Sequence, residues 1–402
     1  MKVYHILDHF IPIYSGYAFR SKYIMQFQRK WGIDASAIIS PKHSQNLKKN
    51  EVIDDIPCTR MHIDYKFLGK IPYLREFFFL NFFKKRILET IKENPPDILH
   101  SHSPILCGIP ALNAARKAGI PVIYELRSLW EDSAVSAGVT STKSLRYILS
   151  KQYETNLLKK VDGVITICEG LKQEIVKRGI PEEKIHVTPN GVDPQTFLPR
   201  PPCTELIAKH KLEGKKIIGF FGSFYNYEGL YDMVQAMPTI LKEDKSAVLL
   251  LGGKGEEEDV LKSLVEKLQI QDSVIFLGQV EHKDVLSYYS IMDIVVYPRK
   301  KSRLTDLVTP LKPLEAMSMG KAVLGSSASG IMELIQDQKT GSIFQAGNSD
   351  SLAQQCLDLL KYPEKRKELG VNAREYILKH RNWENIVREH VDVYQKLLER
   401  KK

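Results

Sequence analysis

The sequence predicts two α/β domains, each a parallel sheet with helices packed against it. Three observations carry that expectation. Short apolar strands alternate with helix-like stretches along nearly the whole chain. The alternation runs to Thr188, breaks at Pro189-Asn190-Gly191-Val192-Asp193 and a proline-rich segment (Pro199, Pro201, Pro202), then restarts at Lys216. The length of 402 residues suits two domains of about 150–200 residues better than one.

In order, Val3–Leu7 reads as a buried strand, Asp8–Gly16 as a loop broken by Pro12 and Gly16, Ala18–Trp31 as a helix and Ala35–Ile39 as a second strand. Gly16 falls where the first strand hands over to a helix. That is the binding crevice of such sheets, although a plain turn glycine reads the same way. Gly-x-Gly-x-x-Gly is absent, and with it a dinucleotide fingerprint. Tyr65–Leu88 carries eight aromatics and six cations against one acid, Glu76. It reads either as an interfacial membrane contact or as a core helix with basic ends. Asp97–His102 is a strand whose His100 and His102 point the same way: a metal pair lacking a nearby third ligand, or groups lining a cleft. Leu106–Ala118 is a helix ended by Gly119. The strand Pro121–Leu126 then delivers Arg127, Trp130, Glu131 and Asp132 into a loop. These read as site residues, with a purely structural pairing of Arg127 to Glu125 or Asp132 as the other reading. Helices over 143–159 and 171–178 and strands over 163–167 and 184–188 complete the first domain, residues 1–190.

Beyond the boundary, strands are expected at Lys216–Phe221, Ala247–Leu251, Val274–Leu277, Ile294–Tyr297 and Ala322–Gly325. Helices are expected over 229–241, 256–268, 283–291, 331–336, 349–361 and 364–379. The second domain is thus residues 191–378, and a long amphipathic helix from Trp383 to about Leu398 occupies the remainder, 379–402. The natural place for a site is the cleft between two such domains.

Composition narrows the class of function. A hydrophobic content of 43% and a charged content of 26% are those of a soluble globular protein. A formal charge of +10 favours anionic partners. The five cysteines (58, 107, 168, 203, 356) include no Cys-x-x-Cys pair and read as reduced thiols of a cytoplasmic protein. Met-Lys-Val-Tyr-His-Ile-Leu-Asp begins a strand rather than a signal peptide, and no apolar run approaches the ~20 residues of a membrane span.

The most informative stretch is Tyr297–Gly320. A loop holding Arg299, Lys300, Lys301 and Arg303 leads to Lys312 and a short helix opened by Pro313 and stopped by Gly320. Exposed N–H groups beside guanidinium and ammonium groups suit a diphosphate. Glu315, in the first turn, suits ribose hydroxyls or, more plainly, serves as a capping carboxylate.

Several segments together resemble the family-4 retaining glycosyltransferases of the GT-B fold, over essentially the full length. They are Asp162-Gly163-Val164-Ile165-Thr166; Pro189-Asn190-Gly191-Val192-Asp193 with Phe197; Phe276-Leu277-Gly278-Gln279-Val280; Tyr288-Tyr289-Ser290 with Asp293; and, most specifically, Pro313-Leu314-Glu315-Ala316-Met317 with Gly320. The resemblance implies two Rossmann-like domains facing across a cleft, with the last helix crossing back onto the first. It implies transfer of a sugar from a UDP- or GDP-type donor, with no metal needed for the diphosphate and no cofactor beyond that substrate. Three of the family's polar groups are replaced, by Leu307, Ser223 and Glu228. Lys312, three residues before Glu315, matches one branch of the family, and so does the loop from Tyr124 to Asp132.

On this reading Arg303 and Lys312 stabilise the leaving diphosphate, Arg299 is a second candidate, and Arg127 serves catalysis from the first domain. Glu315 holds the ribose. Thr309, Pro310 and Leu311 line the sugar pocket, and Gly222 and Ser223 let backbone approach the phosphates. The acceptor passes Gly16, Tyr17, Arg20, His102, Trp130 and Glu131. Retention follows from assistance by the leaving phosphate. A glycan or lipid-linked acceptor in polysaccharide assembly is expected, with an anionic membrane surface at the cytoplasmic face as a further partner. The rivals are a non-catalytic scaffold at the membrane and a sugar-nucleotide 2-epimerase. Nucleic acid is disfavoured, because the basic residues do not join a reading helix.

Overall fold

A computed structural model describes residues 1–43, 47–62 and 74–400. The chain forms two compact units, Met1–Asn190 with Trp383–Lys402, and Gly191–Asn382.

The first unit runs β1 (Lys2–Leu7), α1 (Gly16–Lys30), β2 (Asp34–Ile39), β3 (Asn50–Ile53), β4 (Ile56–Arg60), α2 (Leu74–Glu93), β5 (Ile98–His102), α3 (Ile105–Ala118), β6 (Val122–Leu126), α4 (Trp130–Ser136), α5 (Leu145–Lys160), β7 (Gly163–Thr166), α6 (Glu169–Lys177) and β8 (Ile185–Val187). The sheet order is β3-β4-β2-β1-β5-β6-β7-β8, parallel except for the β3–β4 pair. β5 and β6 are buried at every residue, as expected where helices cover both faces. Strand order reverses between β1 and β5, so their C-terminal ends frame the crevice of this sheet. α1 starts two residues earlier than its apolar pattern predicts, because the Ser15 hydroxyl caps it by accepting the Ala18 N–H at 3.1 Å. Of the basic–aromatic stretch, Tyr65, Lys66, Phe67, Lys70 and Tyr73 lie outside the described residues. Phe79 and Phe83 enter the core from α2, whereas Phe77 and Phe78 are exposed.

The second unit runs α7 (Thr204–Lys209), β9 (Lys216–Phe221), α8 (Leu230–Glu243), β10 (Ala247–Gly252), α9 (Glu258–Lys267), β11 (Val274–Gly278), α10 (His282–Ile291), β12 (Ile294–Tyr297), α11 (Arg303–Leu307), α12 (Lys312–Ser318), β13 (Ala322–Ser326), α13 (Ser329–Met332), β14 (Ser342–Phe344), α14 (Ser349–Lys361) and α15 (Pro363–His380). Its parallel sheet has the order β11-β10-β9-β12-β13-β14, reversing between β9 and β12. The short helix α11 replaces part of the predicted loop. Ser302 accepts the Thr305 N–H while the Thr305 hydroxyl accepts the Ser302 N–H, a capping box that outweighs the β-branched and cationic residues nearby.

The last helix, α16 (Trp383–Glu399), belongs to the first unit. Trp383, Ile386, Val387, His390, Val393, Tyr394 and Leu397 form its buried stripe. No described helix is long and apolar enough to cross a membrane.

Candidate functional site

In the second unit, the crevice at the β9–β12 reversal is where a ligand is expected. Gly222 and Ser223 follow β9, and Pro298 and Arg299 follow β12. Lys312 opens α12, and its ammonium lies against Gly222: a Cβ built there would sit 1.9 Å from Nζ. Only glycine leaves that space. The Lys312 side chain is about a third exposed, at 31%. Its Nζ lies 5.3 Å from the centre of the Phe220 ring and 3.9 Å from Glu228 Oε1. Burial lowers its pKa from the ordinary lysine value, and the negative charge of Glu228 opposes the fall.

Arg299 was expected on the diphosphate, but the structure engages it otherwise. Its Nε and Nη2 donate to both carboxylate oxygens of Glu228 at 3.1 and 3.0 Å, and both side chains are nearly sealed from solvent. Its Nη1 donates to the Val308 carbonyl at 3.3 Å. Burial alone would raise the Glu228 pKa, yet Arg299 and Lys312 outweigh it and hold the carboxyl below its ordinary value. Glu228 at a position where the family carries a cation is therefore the acidic half of a buried pair. Arg303 stands at the exposed start of α11, on a different helix from Lys312. Thr309 and Pro310 are buried, Leu311 is half-buried as the residue before α12, and Ser223 is exposed.

Glu315 sits in the first turn of α12 and accepts the Tyr289 hydroxyl at 3.4 Å. Burial pushes its carboxyl up to about 7, against the pull of Lys312. Tyr297, within 3.3 Å of Tyr289, donates to the Lys312 carbonyl at 2.8 Å and so ties the turn to β12.

In the first unit the predicted acceptor residues separate into two groups. Arg20, His102, Arg127 and Glu131 are interior. Arg20 donates to Glu125, to the Thr188 and Pro189 carbonyls and to Asn190. Arg127 donates to Glu125 at 2.6 Å, to the Tyr17 carbonyl and Ser21, and to His102 Nδ1 at 2.6 Å. Glu131 takes Arg178 at 2.8 Å. These side chains are buried and engaged with one another, where the sequence reading turns Arg20, His102, Arg127 and Glu131 toward a substrate; for Arg127 the contact is the pairing to Glu125 that the sequence also allowed. The reason is Glu125. A fully buried carboxylate needs compensating charge, and Arg20 and Arg127 outweigh the burial that would otherwise raise its pKa.

The direction of each hydrogen bond in this cluster follows from Arg127, which can only donate. His102 thus accepts at Nδ1 and donates from Nε2 to His5 Nδ1 at 2.9 Å; His5 Nε2 donates to the Gln28 carbonyl oxygen at 2.8 Å. The Gln28 amide donates to the Tyr394 hydroxyl at 2.9 Å, which donates to His100 Nδ1 at 2.6 Å, and His100 Nε2 lies 3.3 Å from Glu125 Oε2. His5 is the third ring nitrogen that sequence spacing did not supply, within 4.8 Å of those of His100 and His102. Two guanidinium groups on Glu125 and the mutual hydrogen bonds of the rings make this a structural polar core.

Gly16, Tyr17 and Trp130 are at least partly accessible. With Gly16 and Tyr17 at the β1 end of the crevice stands a group that sequence reasoning missed. His9 Nδ1 lies 3.1 Å from Asp8 Oδ2 and His9 Nε2 lies 2.8 Å from Ser15 Oγ. His43 Nε2 is 3.4 Å from Asp8 Oδ2 and Lys42 Nζ is 3.8 Å from Oδ1. Burial would raise the Asp8 pKa, but His43, His9 and Lys42 hold it well below the ordinary carboxylate range. Position immediately after β1 was the available signal.

The two halves of this architecture each match a known family: residues 21–196 match Glycosyltransferase Family 4, and residues 204–376 match Glycosyl transferases group 1. The chain thus has the GT-B fold, and each of its halves matches one of these two glycosyltransferase families. An uncharacterized glycosyltransferase of Methanocaldococcus jannaschii is 31% identical over 241 residues, which are 59% of this chain and 60% of that protein. The N-acetyl-alpha-D-glucosaminyl L-malate synthase of Bacillus anthracis is 28% identical over 78% of both chains. Among solved structures, a sucrose-phosphate synthase of Thermosynechococcus elongatus superposes with a TM-score of 0.81 at 20% identity, covering 99% of both chains. Anabaena HepE in complex with UDP-glucose gives 0.77 at 17% identity, covering 98% of this chain and all of that one. At these identities the structural matches speak for the fold.

Proposed function

We propose that this protein transfers a hexosyl or N-acetylhexosaminyl group from a UDP- or GDP-sugar to a glycan or lipid-linked acceptor, with retention, in cell-surface polysaccharide assembly. The observation that carries the reading is the Lys312 ammonium laid over Gly222, with Glu315 one turn along the same helix. Cleavage of a glycosyl phosphate leaves negative charge on the departing diphosphate, and a positioned ammonium stabilises that charge as it develops. The carboxylate of Glu315 accepts ribose hydroxyls. Arg303, exposed nearby in sequence, is a second cation for the phosphates, while Thr309, Pro310, Leu311 and Ser223 border the sugar and phosphate positions. Arg299 acts through Glu228, whose placement limits how far Lys312 swings. On the acceptor side Gly16, Tyr17, Trp130, His9 and Lys42 are the accessible groups, with the buried Asp8 carboxylate beside His9 and Lys42. Arg127 and Arg20 orient that crevice from behind. The reaction needs no metal on this reading, because Lys312 supplies the charge.

The test is binding and hydrolysis of a panel of nucleotide sugars by the full chain and by Lys312→Ala. UDP or GDP at ~100-fold its dissociation constant should raise stability by about 2.7 kcal/mol. Lys312→Ala should abolish most of that gain and most of the hydrolysis. A wild type that no nucleotide stabilises, or an unchanged variant, refutes the reading. Epimer formed from donor alone would favour a 2-epimerase.

A further inference from the structure

α5 carries two apolar faces, and only one of them is used by the fold. Tyr147, Leu157 and Leu158 point inward and are buried. On the outside, Leu145, Ile148, Leu149 and Tyr153 are 71%, 55%, 45% and 56% exposed. They fall at i, i+3, i+4 and i+8, which is one continuous stripe of a helix. Val139, 58% exposed, precedes them. The outer face carries no acid: Glu154, the only one on the helix, is buried, and the exposed polar residues of the helix are Arg146, Gln152, Asn156, Lys159 and Lys160, with Lys143 exposed just before it. α2 and α5 both pack on α3. α2 adds Phe77 and Phe78, also exposed, with Lys84, Lys85 and Arg86 further along.

We propose that this helical face docks on the surface of an anionic phospholipid bilayer. Leu145, Ile148, Leu149 and Tyr153 enter the boundary between headgroups and acyl chains, and Lys143 and Arg146 meet lipid phosphates. An apolar stripe flanked by cations and uncharged polar groups, with no acid on the same helix face, has the composition of an interfacial helix. Tyrosine suits the boundary, its ring in the apolar layer and its hydroxyl in water. Charge selects between occupants: a second copy of this chain would bring the same cations against these, whereas an anionic bilayer is complementary to them. The surface differs from the one that the sequence suggested, since α5 carries most of it and lies outside Tyr65–Leu88. Docking needs no nucleotide, so it stands or falls independently of glycosyl transfer.

The experiment is co-sedimentation of the full chain with vesicles of phosphatidylcholine alone, or of phosphatidylcholine mixed with phosphatidylglycerol. The wild type should partition at least about tenfold more strongly into the anionic vesicles. Ile148→Gln combined with Leu149→Gln should reduce that partition at least about tenfold without lowering Tm. Arg146→Gln should reduce it less, and that smaller effect should fade at high salt. Should the double variant prove unstable, Leu145→Gln, at the most exposed position of the stripe, gives the same reading. Equal partition of the wild type into both vesicles overturns the proposal. So does unaltered partition of a folded double variant, or a solution dimer, dissolved by these substitutions, that does not bind vesicles.

Discussion

Arg299 grips Glu228 at two points, 3.1 and 3.0 Å, in a pair almost closed to solvent. Breaking such a pair from one side leaves a buried charge uncompensated, at a cost of about 3–5 kcal/mol. Glu228→Gln and Arg299→Ala should each lower stability by that order in chemical denaturation. The double substitution should cost clearly less than their sum, because neither charge is then stranded. Additive losses would show that the two groups do not depend on each other.

Gly222→Ala should act through Lys312. The added methyl would fall 1.9 Å from Nζ, so the ammonium must leave its place. Nucleotide affinity should fall at least tenfold, or about 1.4 kcal/mol. In a Lys312→Ala background the same substitution should do much less. Titration calorimetry with UDP and GDP on the four proteins measures the coupling, and equal effects in both backgrounds would detach Gly222 from Lys312.

Donor affinity should depend on pH through Glu315. Its carboxyl, pushed up to about 7 by burial, is protonated below that pH and loses acceptor capacity. Affinity should therefore weaken as pH falls from 8 to 6, by up to about tenfold per unit below 7. Glu315→Gln should flatten the profile at the weak end. A wild-type profile that is flat, or that rises toward acid, contradicts the ribose role.

Acid should destabilise the first unit early. Burial lowers the pKa of His5, His100 and His102 from 6.5, to about 4 for His100, so the unfolded chain binds protons that the folded one refuses. Stability is thus complete above 6.5 and declines as pH falls below it, by roughly 1.4 kcal/mol per unit for each histidine. The lowered pKa of Glu125 has the same sign: its contribution is present above 4.5 and is lost on further acidification. Denaturant midpoints at pH 7 and pH 5 measure the loss, and equal midpoints would mean that the rings accept protons in place.

The strands, the parallel alternation and the place of Lys312 and Glu315 at a helix start were legible in sequence, because period, proline and glycine placement are local signals. α11 was missed because Ser302 and Thr305 cap it through side chains among residues that read as loop. The buried partners of Arg20, His102 and Glu131 were not legible for a different reason, whereas the pairing of Arg127 to Glu125 was one of the two readings the sequence offered. A polar residue at a strand end looks the same whether it meets a ligand or a buried partner, and Arg20 meets Glu125 across 105 residues of chain. Glu228, which in sequence stands only as a replaced cation, has its reason in Arg299, 71 residues further along the chain.

The first unit is interrupted: its chain departs at Asn190 and is rejoined only at Trp383. Tyr394 closes the hydrogen-bonded chain between Gln28 and His100, and His390 lies within 3.4 Å of Glu125. During synthesis the ribosome must therefore deliver the whole intervening unit before that interior can be completed. Until then its histidines and Glu125 await their final neighbours, so the interior of the nascent first unit stays incomplete for longer than its position in the message suggests.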